Sequence, residues 1–232
     1  MRLLIDVGNT VVKGALWQPE GILPSDLSNL PWQAIDEVIY ACVGRSSLLE
    51  GILQQAAEHQ VAIYEAKVTQ QLAGVQCGYP IFKNLGIDRW LAIIASYTLW
   101  PKQSCIIVDA GTATTIDVLN ASGEHLGGWI LPGLDLMARS LTEHTQRVFD
   151  DQHIPFATAL GCNTPNGLKN GALVATIGAI EQAKQHLVDD KLKIVCAGGY
   201  GKLLADALPA SVFDSQLVFK GLNEWRNLTL KQ

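Results

Sequence analysis

The chain has 232 residues, 48% of them hydrophobic and 17% charged, with a formal net charge of -5. That length suits one large domain or two small ones with a sizeable core, and a pI near 5.5 lacks the basic footprint of a nucleic-acid-binding protein. No apolar run approaches the ~20 residues of a membrane span, and the scattered Cys42, Cys77, Cys105, Cys162 and Cys196 form no Cys-x-x-Cys pair, so they read as buried, reduced thiols.

In chain order, residues 2–6 and 11–17 are apolar runs joined by Asp6-Val7-Gly8-Asn9-Thr10, and a hairpin is expected. The chain enters this first strand without a signal-peptide pattern, which points to a cytosolic protein. Residues 19–31, rich in Pro, Ser, Asp and Asn, read as a loop. A buried strand is expected over 37–43, then a helix from Ser46-Ser47 with Leu48, Leu49, Ile52, Leu53, Ala56 and Ala57 at helical spacing, then a strand over 61–64. Strand and helix in alternation point to an α/β layered fold. After the irregular stretch 69–85, Asp88 stands where a helix over 90–97 would have its N-cap. Arg89 then falls in the first turn, where the helix dipole disfavours a cation unless an anion lies nearby.

The pattern restarts after Trp100-Pro101, which places a domain boundary near 101–104. Strands are expected over 105–109, 114–119 and 124–131, the last closed by Gly127-Gly128-Trp129-Ile130-Leu131-Pro132-Gly133, and a helix over 134–145. A tight turn at 161–166 leads into a long helix over 167–186 whose stripe of Gly171, Ala172, Ala175, Gly178 and Ala179 permits close packing on another helix. A strand over 192–196 follows, Ala197-Gly198-Gly199-Tyr200-Gly201 opens a helix through Leu208, and the tail holds an apolar segment, 212–219, and a short polar helix near 223–228.

Residues 105–119, CIIVDAGTATTIDVL, repeat the pattern of residues 1–15, MRLLIDVGNTVVKGA. In both, a strand delivers an Asp to its end, Gly frees the turn, and hydroxyls and backbone N–H groups follow. Such a turn can hold phosphate oxygens and a hydrated cation; it also suits an ordinary hairpin whose Asp and Thr satisfy the turn. Its recurrence suggests two related halves. A phosphate-binding Gly-x-x-x-x-Gly-Lys-Ser/Thr loop, a Gly-x-Gly-x-x-Gly fingerprint and a Gly-x-Ser-x-Gly elbow are all missing from the sequence, and the five histidines form no spaced metal set. Gly198-Gly199-x-Gly201 fits a helix-packing turn as well as a ligand loop. The candidate chemistry rests on Asp6, Asp88, Asp109 and Asp117. Phosphoryl transfer needs mainly positioning, charge neutralisation and an acceptor for a hydroxyl proton. Asp6 and Asp109 could organise cations, Asp88 could be the base, and Arg89 could fix an anionic acceptor.

As an ordered set, Asp6-Val7-Gly8-Asn9-Thr10, Tyr79-Pro80 followed by Leu85-Gly86-Ile87-Asp88-Arg89-Trp90, DAGTATTID at 109–117, GGWILPG at 127–133 and GCNT at 161–164 resemble the motifs of type III pantothenate kinases, in the acetate and sugar kinase, Hsp70 and actin superfamily. The resemblance implies an α/β fold of two related ribonuclease H-like (actin-like ATPase) domains, 1–102 and 103–232, with mixed sheets flanked by helices. It places the active site in the cleft between them and makes the C-terminal tail a candidate to pack back on the first domain. It implies ATP-dependent phosphorylation of pantothenate to 4′-phosphopantothenate, the first step of coenzyme A biosynthesis, with Asp88 as general base. Asp6, Val7, Gly8, Asn9, Thr10, Val11, Val12 and Lys13 would line the ATP phosphate site, with Asp6 near Mg2+, directly or through water, and Thr112 touching ATP. Tyr79, Gly86, Ile87, Asp88, Arg89 and Thr164 would contact pantothenate, and Asp109 would bind a monovalent cation, K+ or NH4+. A cytoplasmic homodimer is implied, with pantothenate near its interface and the small-residue helix supplying part of the contact.

Two positions depart from the family pattern: Val11 stands where Asn or Ser is frequent, and PNGLKNG at 165–171 replaces a Ser-containing helix start. The alternative readings are a catalytically silent nucleotide-binding regulatory module of the same fold, or another small-molecule kinase of the superfamily. Asp6, Asp88, Arg89 and Asp109 together argue against the first, and Tyr79 with the Gly86-to-Arg89 signature against the second.

Overall fold

The structure is a computed structural model that describes residues 1–8, 10–72, 74–145, 147–188 and 191–230. It divides into two compact units, Met1–Pro101 with Gln216–Gln232, and Lys102–Ser215.

In the first unit, β1 (Arg2–Val7) and β2 (Val12–Gln18) form the expected antiparallel hairpin, with Val7 opposite Val12 and Asp6 opposite Lys13. A third strand, β3 (Gly21–Pro24), pairs with β2 inside the stretch read from sequence as a loop. It is too short to display a two-residue period, and a proline is tolerated because only one neighbour needs its hydrogen bonds. β4 (Glu37–Cys42) runs parallel to β1. The helix α1 (Ser47–Glu58) starts at Ser46, whose hydroxyl accepts the Leu49 N–H at 3.3 Å. α1 lays Leu49, Ile52 and Ala56 against Leu3, Ile5, Val7 and Val38. β5 (Ala62–Glu65) extends the sheet beside β4, and a two-stranded ribbon, β6 (Gln71–Leu72) and β7 (Val75–Gln76), precedes α2 (Ile87–Leu99).

The second unit opens with an antiparallel meander, β8 (Ser104–Ala110), β9 (Ala113–Leu119) and β10 (His125–Pro132), followed by α3 (Leu134–His144) and α4 (Thr164–Lys184). α4 begins earlier than expected, at Thr164, because Asn163 caps it by accepting the Asn166 N–H at 2.9 Å and Pro165 fits a first turn. β11 (Leu192–Ala197) is parallel to β8, α5 (Gly201–Ala207) follows, and β12 (Ser211–Phe213) is parallel to β11. Ile106, Val108, Ile116, Leu134, Leu173, Ile180, Ile194 and Leu204 make one core between sheet and helices. The two sheets have the same wiring, β3-β2-β1-β4-β5 and β10-β9-β8-β11-β12. Each is mixed, with a meander on one side and two parallel neighbours on the other.

The last helix, α6 (Leu217–Thr229), belongs to the first unit. It is longer than the short polar helix expected, and the apolar segment over 212–219 divides between β12 and α6. Leu217, Leu222 and Trp225 are buried together with Asn223 and Arg226. Arg226 reaches Glu37 on β4 through one guanidinium edge, Nη2 to Oε1 at 2.8 Å and Nε to Oε2 at 3.2 Å, and lies 3.5 Å over the Tyr64 ring. Arg2 on β1 donates to Glu37 at 3.1 Å and to Asn223 and Asn227 on α6 at 2.7 and 2.6 Å. The planar fork of arginine suits such shared carboxylate pairing, and the aromatic face replaces part of the lost hydration.

All five cysteines are free; Cys77, Cys105 and Cys196 are buried as expected, whereas Cys42 is half-buried and Cys162 is exposed. Burial pushes the Cys105 and Cys196 thiols up to about 12. They stay protonated and inert at neutral pH. Among the described residues no helix is long and apolar enough to cross a membrane.

Candidate active site

The candidate residues fall into a strand turn and a helix start in the first unit, and a strand turn and a helix start in the second. Alternation along β1 puts Leu3, Ile5 and Val7 on the α1 side, so Arg2, Leu4 and Asp6 share the opposite face, where Arg2 meets α6. Asp6 is half-buried at the end of this row, and Lys13 is its cross-strand partner. The turn is closed by the Gly8 N–H donating to Val11 O at 3.1 Å. Thr10, Val11 and Lys13 are exposed, Val7 is buried and Val12 half-buried, while Asn9 lies outside the described residues.

Tyr79, Gly86, Ile87, Asp88 and Arg89 come together at the start of α2. Gly86, not Asp88, is the N-cap residue, so the capping role expected for Asp88 is not what the structure has. Asp88 sits inside the first turn, and its Oδ1 accepts the Arg89 N–H at 2.8 Å. The carboxylate bends back so closely over Gly86 that a Cβ there would lie 2.5 Å from Oδ1. A negative group at this end of a helix is favoured by the dipole. Arg89 is only 6% exposed; its Nη1 donates to the Tyr79 hydroxyl at 3.1 Å, and the guanidinium lies 5.7 Å from that ring's centroid. Ile87 is buried, and Tyr79 and Asp88 are half-buried.

In the second unit, Asp109 is half-buried near the end of β8, and the turn to β9 is closed by the Gly111 N–H donating to Ala113 O at 2.9 Å. Thr112, at the tip, accepts the Gly133 N–H through its carbonyl at 3.0 Å. Gly198 faces Asp109 with a φ of +82°, and a Cβ there would run into Asp109 Oδ1 and, at 2.5 Å, Ala110 O. Only glycine supports both that backbone and that closeness. Thr164 is exposed in the first turn of α4.

Asp117 parts company with the other three carboxylates. It is 1% exposed and bonds His125 Nε2 at 2.8 Å, with His125 itself 2% exposed. It serves a buried pair rather than an accessible site. Sequence reasoning also missed a cavity of about 670 Å3 in the second unit, lined by Asp135, Arg139, Phe156, Lys169 and Tyr200 among others. Burial and a 2.7 Å hydrogen bond to Asp135 push the Tyr200 hydroxyl up to about 12. Its lining comes from α3, α4, the 150–156 segment and the start of α5, a gathering that no local spacing reveals.

Among the described residues no group of three or more His, Cys, Asp or Glu side chains converges as a metal cage. Single carboxylates at turns suit a cation that brings phosphate oxygens and water as its other ligands.

The doubled sheet wiring, with an Asp–Gly turn after each central strand, defines an actin-like ATPase fold. Solved structures show the same fold: a Campylobacter jejuni protein assigned to the Baf family of transcriptional activators (TM-score 0.66, 23% identity, 99% of this chain and 100% of that one), and the activator of the 2-hydroxyisocaproyl-CoA dehydratase from Clostridium difficile with bound ADPNP (TM-score 0.51, 12% identity, 100% and 97%). The chain belongs to the type III pantothenate kinase family, whose profile matches residues 2–186. It is 65% identical over 228 residues to the type III pantothenate kinase of Pseudoalteromonas translucida (strain TAC 125), covering 98% of this chain and 97% of the relative.

The Gly198 geometry separates two neighbouring glycines. Gly198→Ala should cost about 1–3 kcal/mol through backbone strain and the collision with Asp109, whereas Gly199→Ala, with nothing within 4 Å of its added Cβ, should stay within about 0.5 kcal/mol of the parent. Urea midpoints of the two variants check this.

Proposed function

We propose that this chain transfers the γ-phosphoryl group of ATP to the primary hydroxyl of pantothenate, giving 4′-phosphopantothenate and ADP, the first step toward coenzyme A. The observation that carries the reading is the start of α2: a carboxylate and a buried arginine on consecutive residues, each held by a local hydrogen bond, in a chain of this family. Asp88 takes the hydroxyl proton, the freed oxygen attacks the γ-phosphorus, and the bond from that phosphorus to the β-bridging oxygen breaks as ADP leaves. Arg89, steadied by Tyr79, pairs with the carboxylate of pantothenate, and Gly86, Ile87 and Thr164 complete the substrate contacts. The turn following Asp6, through Gly8, Asn9, Thr10 and Val11 to Lys13, holds the ATP phosphates with its N–H groups and the lysine charge. Val11 contributes only its backbone, and Thr112 adds a contact to ATP.

Asp6 would hold Mg2+, directly or through water, and the ion would supply neutralisation of the phosphate charge. Asp109, with the Ala110 carbonyl across the space that Gly198 leaves unfilled, offers the hard oxygens that a monovalent cation such as K+ or NH4+ prefers. This reading carries a cytoplasmic location with it. The exposed Gly167, Gly171, Val174, Ala175 and Gly178 on α4 support a homodimer through that helix.

Release of ADP on adding pantothenate, followed by a coupled assay, tests the activity; ATP turnover indifferent to pantothenate would defeat it. Asp88→Asn is expected to keep the fold and lose ~10²–10⁴ in turnover, and an unimpaired variant would remove the base assignment. Replacing K+ by Na+ at constant ionic strength should lower turnover, and an unchanged rate would remove the cation from Asp109. Light scattering should give the mass of two chains; a monomer mass at assay concentrations would discard the dimer.

A further inference from the structure

The family profile covers residues 2–186 and so stops before α6, although the Pseudoalteromonas translucida relative is matched over 98% of the chain, and the proposed chemistry uses nothing from that helix. Yet α6 is what α2 rests on. Gly221 of α6 meets α2 so closely that an added Cβ would collide with the Leu91 carbonyl oxygen and lie 2.5 Å from its carbon and 3.0 Å from its Cα. The contact is backbone to backbone, so no side-chain rotation can relieve it. Leu91 lies about one helical turn from Asp88 on the same hydrogen-bonded helix, and the residues between them are packed: Arg89 is 6% exposed, and Trp90 and Leu91 have no exposed surface. A displacement at Leu91 therefore bears on Asp88 and Arg89 through one turn of packed helix.

α6 is also fastened at several other points. Arg226 grips Glu37 with two bonds, Arg2 bridges Glu37 to Asn223 and Asn227, the Trp225 indole N–H donates to Lys67 O at 3.2 Å, and the Gln216 amide donates to Ile22 O at 2.8 Å. Arg2 and Glu37 are the first residues of β1 and β4, whereas Asp6 and its turn lie toward the far end of β1. The fastening thus fixes α6 to the sheet away from the phosphate turn, and Gly221 passes that fixed position on to α2.

We propose that Gly221 and Arg226 are positioning residues for the acceptor side of the reaction: α6 sets how deeply α2 is seated and thereby where Asp88 and Arg89 meet the substrate hydroxyl and carboxylate. The inference rests on the roles given above to Asp88 and Arg89. It separates the two substrates, because the ATP turn belongs to the β1–β2 hairpin and does not ride on α2.

The test is steady-state kinetics of full-length Gly221→Ala and Arg226→Lys, with Asp88→Asn run in parallel and the folded fraction of each measured by circular dichroism. Gly221→Ala should lower kcat/KM for pantothenate at least tenfold while KM for ATP stays within twofold of the parent. Arg226→Lys, which keeps the charge but loses the two-bond fork, should give a loss of about threefold to fivefold with the same selectivity. A merely structural role would instead lower kcat in proportion to the folded fraction and leave both KM values unchanged; that result, or parent-like kcat/KM for pantothenate, overturns the proposal. Should Gly221→Ala fail to fold, Arg226→Lys decides by the same criteria. A fully active Asp88→Asn enzyme would sink the base assignment separately, whereas an impaired Asp88→Asn beside two unimpaired α6 variants would sink only the positioning role.

Discussion

Both halves depend on a central strand that is buried on its two faces along most of its length and carries its carboxylate at the last position but one. Leu3, Leu4 and Ile5 of β1 have no exposed surface, and Cys105, Ile106, Ile107 and Val108 of β8 are at most 2% exposed, whereas Asp6 and Asp109, which come next, are half-buried. An ionised group within such a run would be stripped of water at a cost of several kcal/mol. Near the end of the strand, the same group keeps part of its surface accessible beside a turn. Core packing therefore restricts where on these strands a carboxylate can stand.

Asp117 shows what happens when a carboxylate lies within the sheet. It faces the same side of the β8–β9 pair as Asp109, since Asp109 is opposite Thr115 and alternation returns the next inward position on β9 to Asp117. Its carboxylate is hydrogen-bonded to His125, whose strand is irregular between His125 and Gly127. Such an irregularity re-aims side chains, and here the result is a satisfied buried pair. Two aspartates eight positions apart in one motif thus have different fates, decided by a cross-strand partner and not by local sequence.

That contrast explains which features could be read from residues alone. The hairpins, α1, the apolar body of α2 and the repeated Asp–Gly turns are local, strongly patterned and visible. β3 is hidden by its brevity. The cap at Gly86 is hidden because glycine carries no side-chain signal and Asp88 imitates one. α6 is partly hidden because its buried face includes Asn223 and Arg226, whose partners, Arg2 and Glu37, lie about two hundred positions away. An apolar period cannot register a face built from amides and a guanidinium. The grouping of Asp135, Phe156, Lys169 and Tyr200 around one cavity fails for the same reason: it is a product of tertiary wiring.

The first unit also shows how a flexible-looking motif becomes a fixed one. Asp88 and Arg89 stand in the first turn of a helix that follows an irregular segment, a place where side chains ordinarily sample several rotamers. Asp88 spends Oδ1 on the next backbone N–H, Arg89 is pinned by Tyr79, and α2 is seated on α6, which Glu37 and Arg2 tie to the sheet. Each link removes freedom before a substrate arrives, which is the condition under which binding energy goes into the reaction instead of into ordering the protein. Apolar packing can replace a buried ion-pair cluster without loss of stability, but it has no fork geometry to hold one helix at one depth. The ion pairs in this unit are best understood as fixing position.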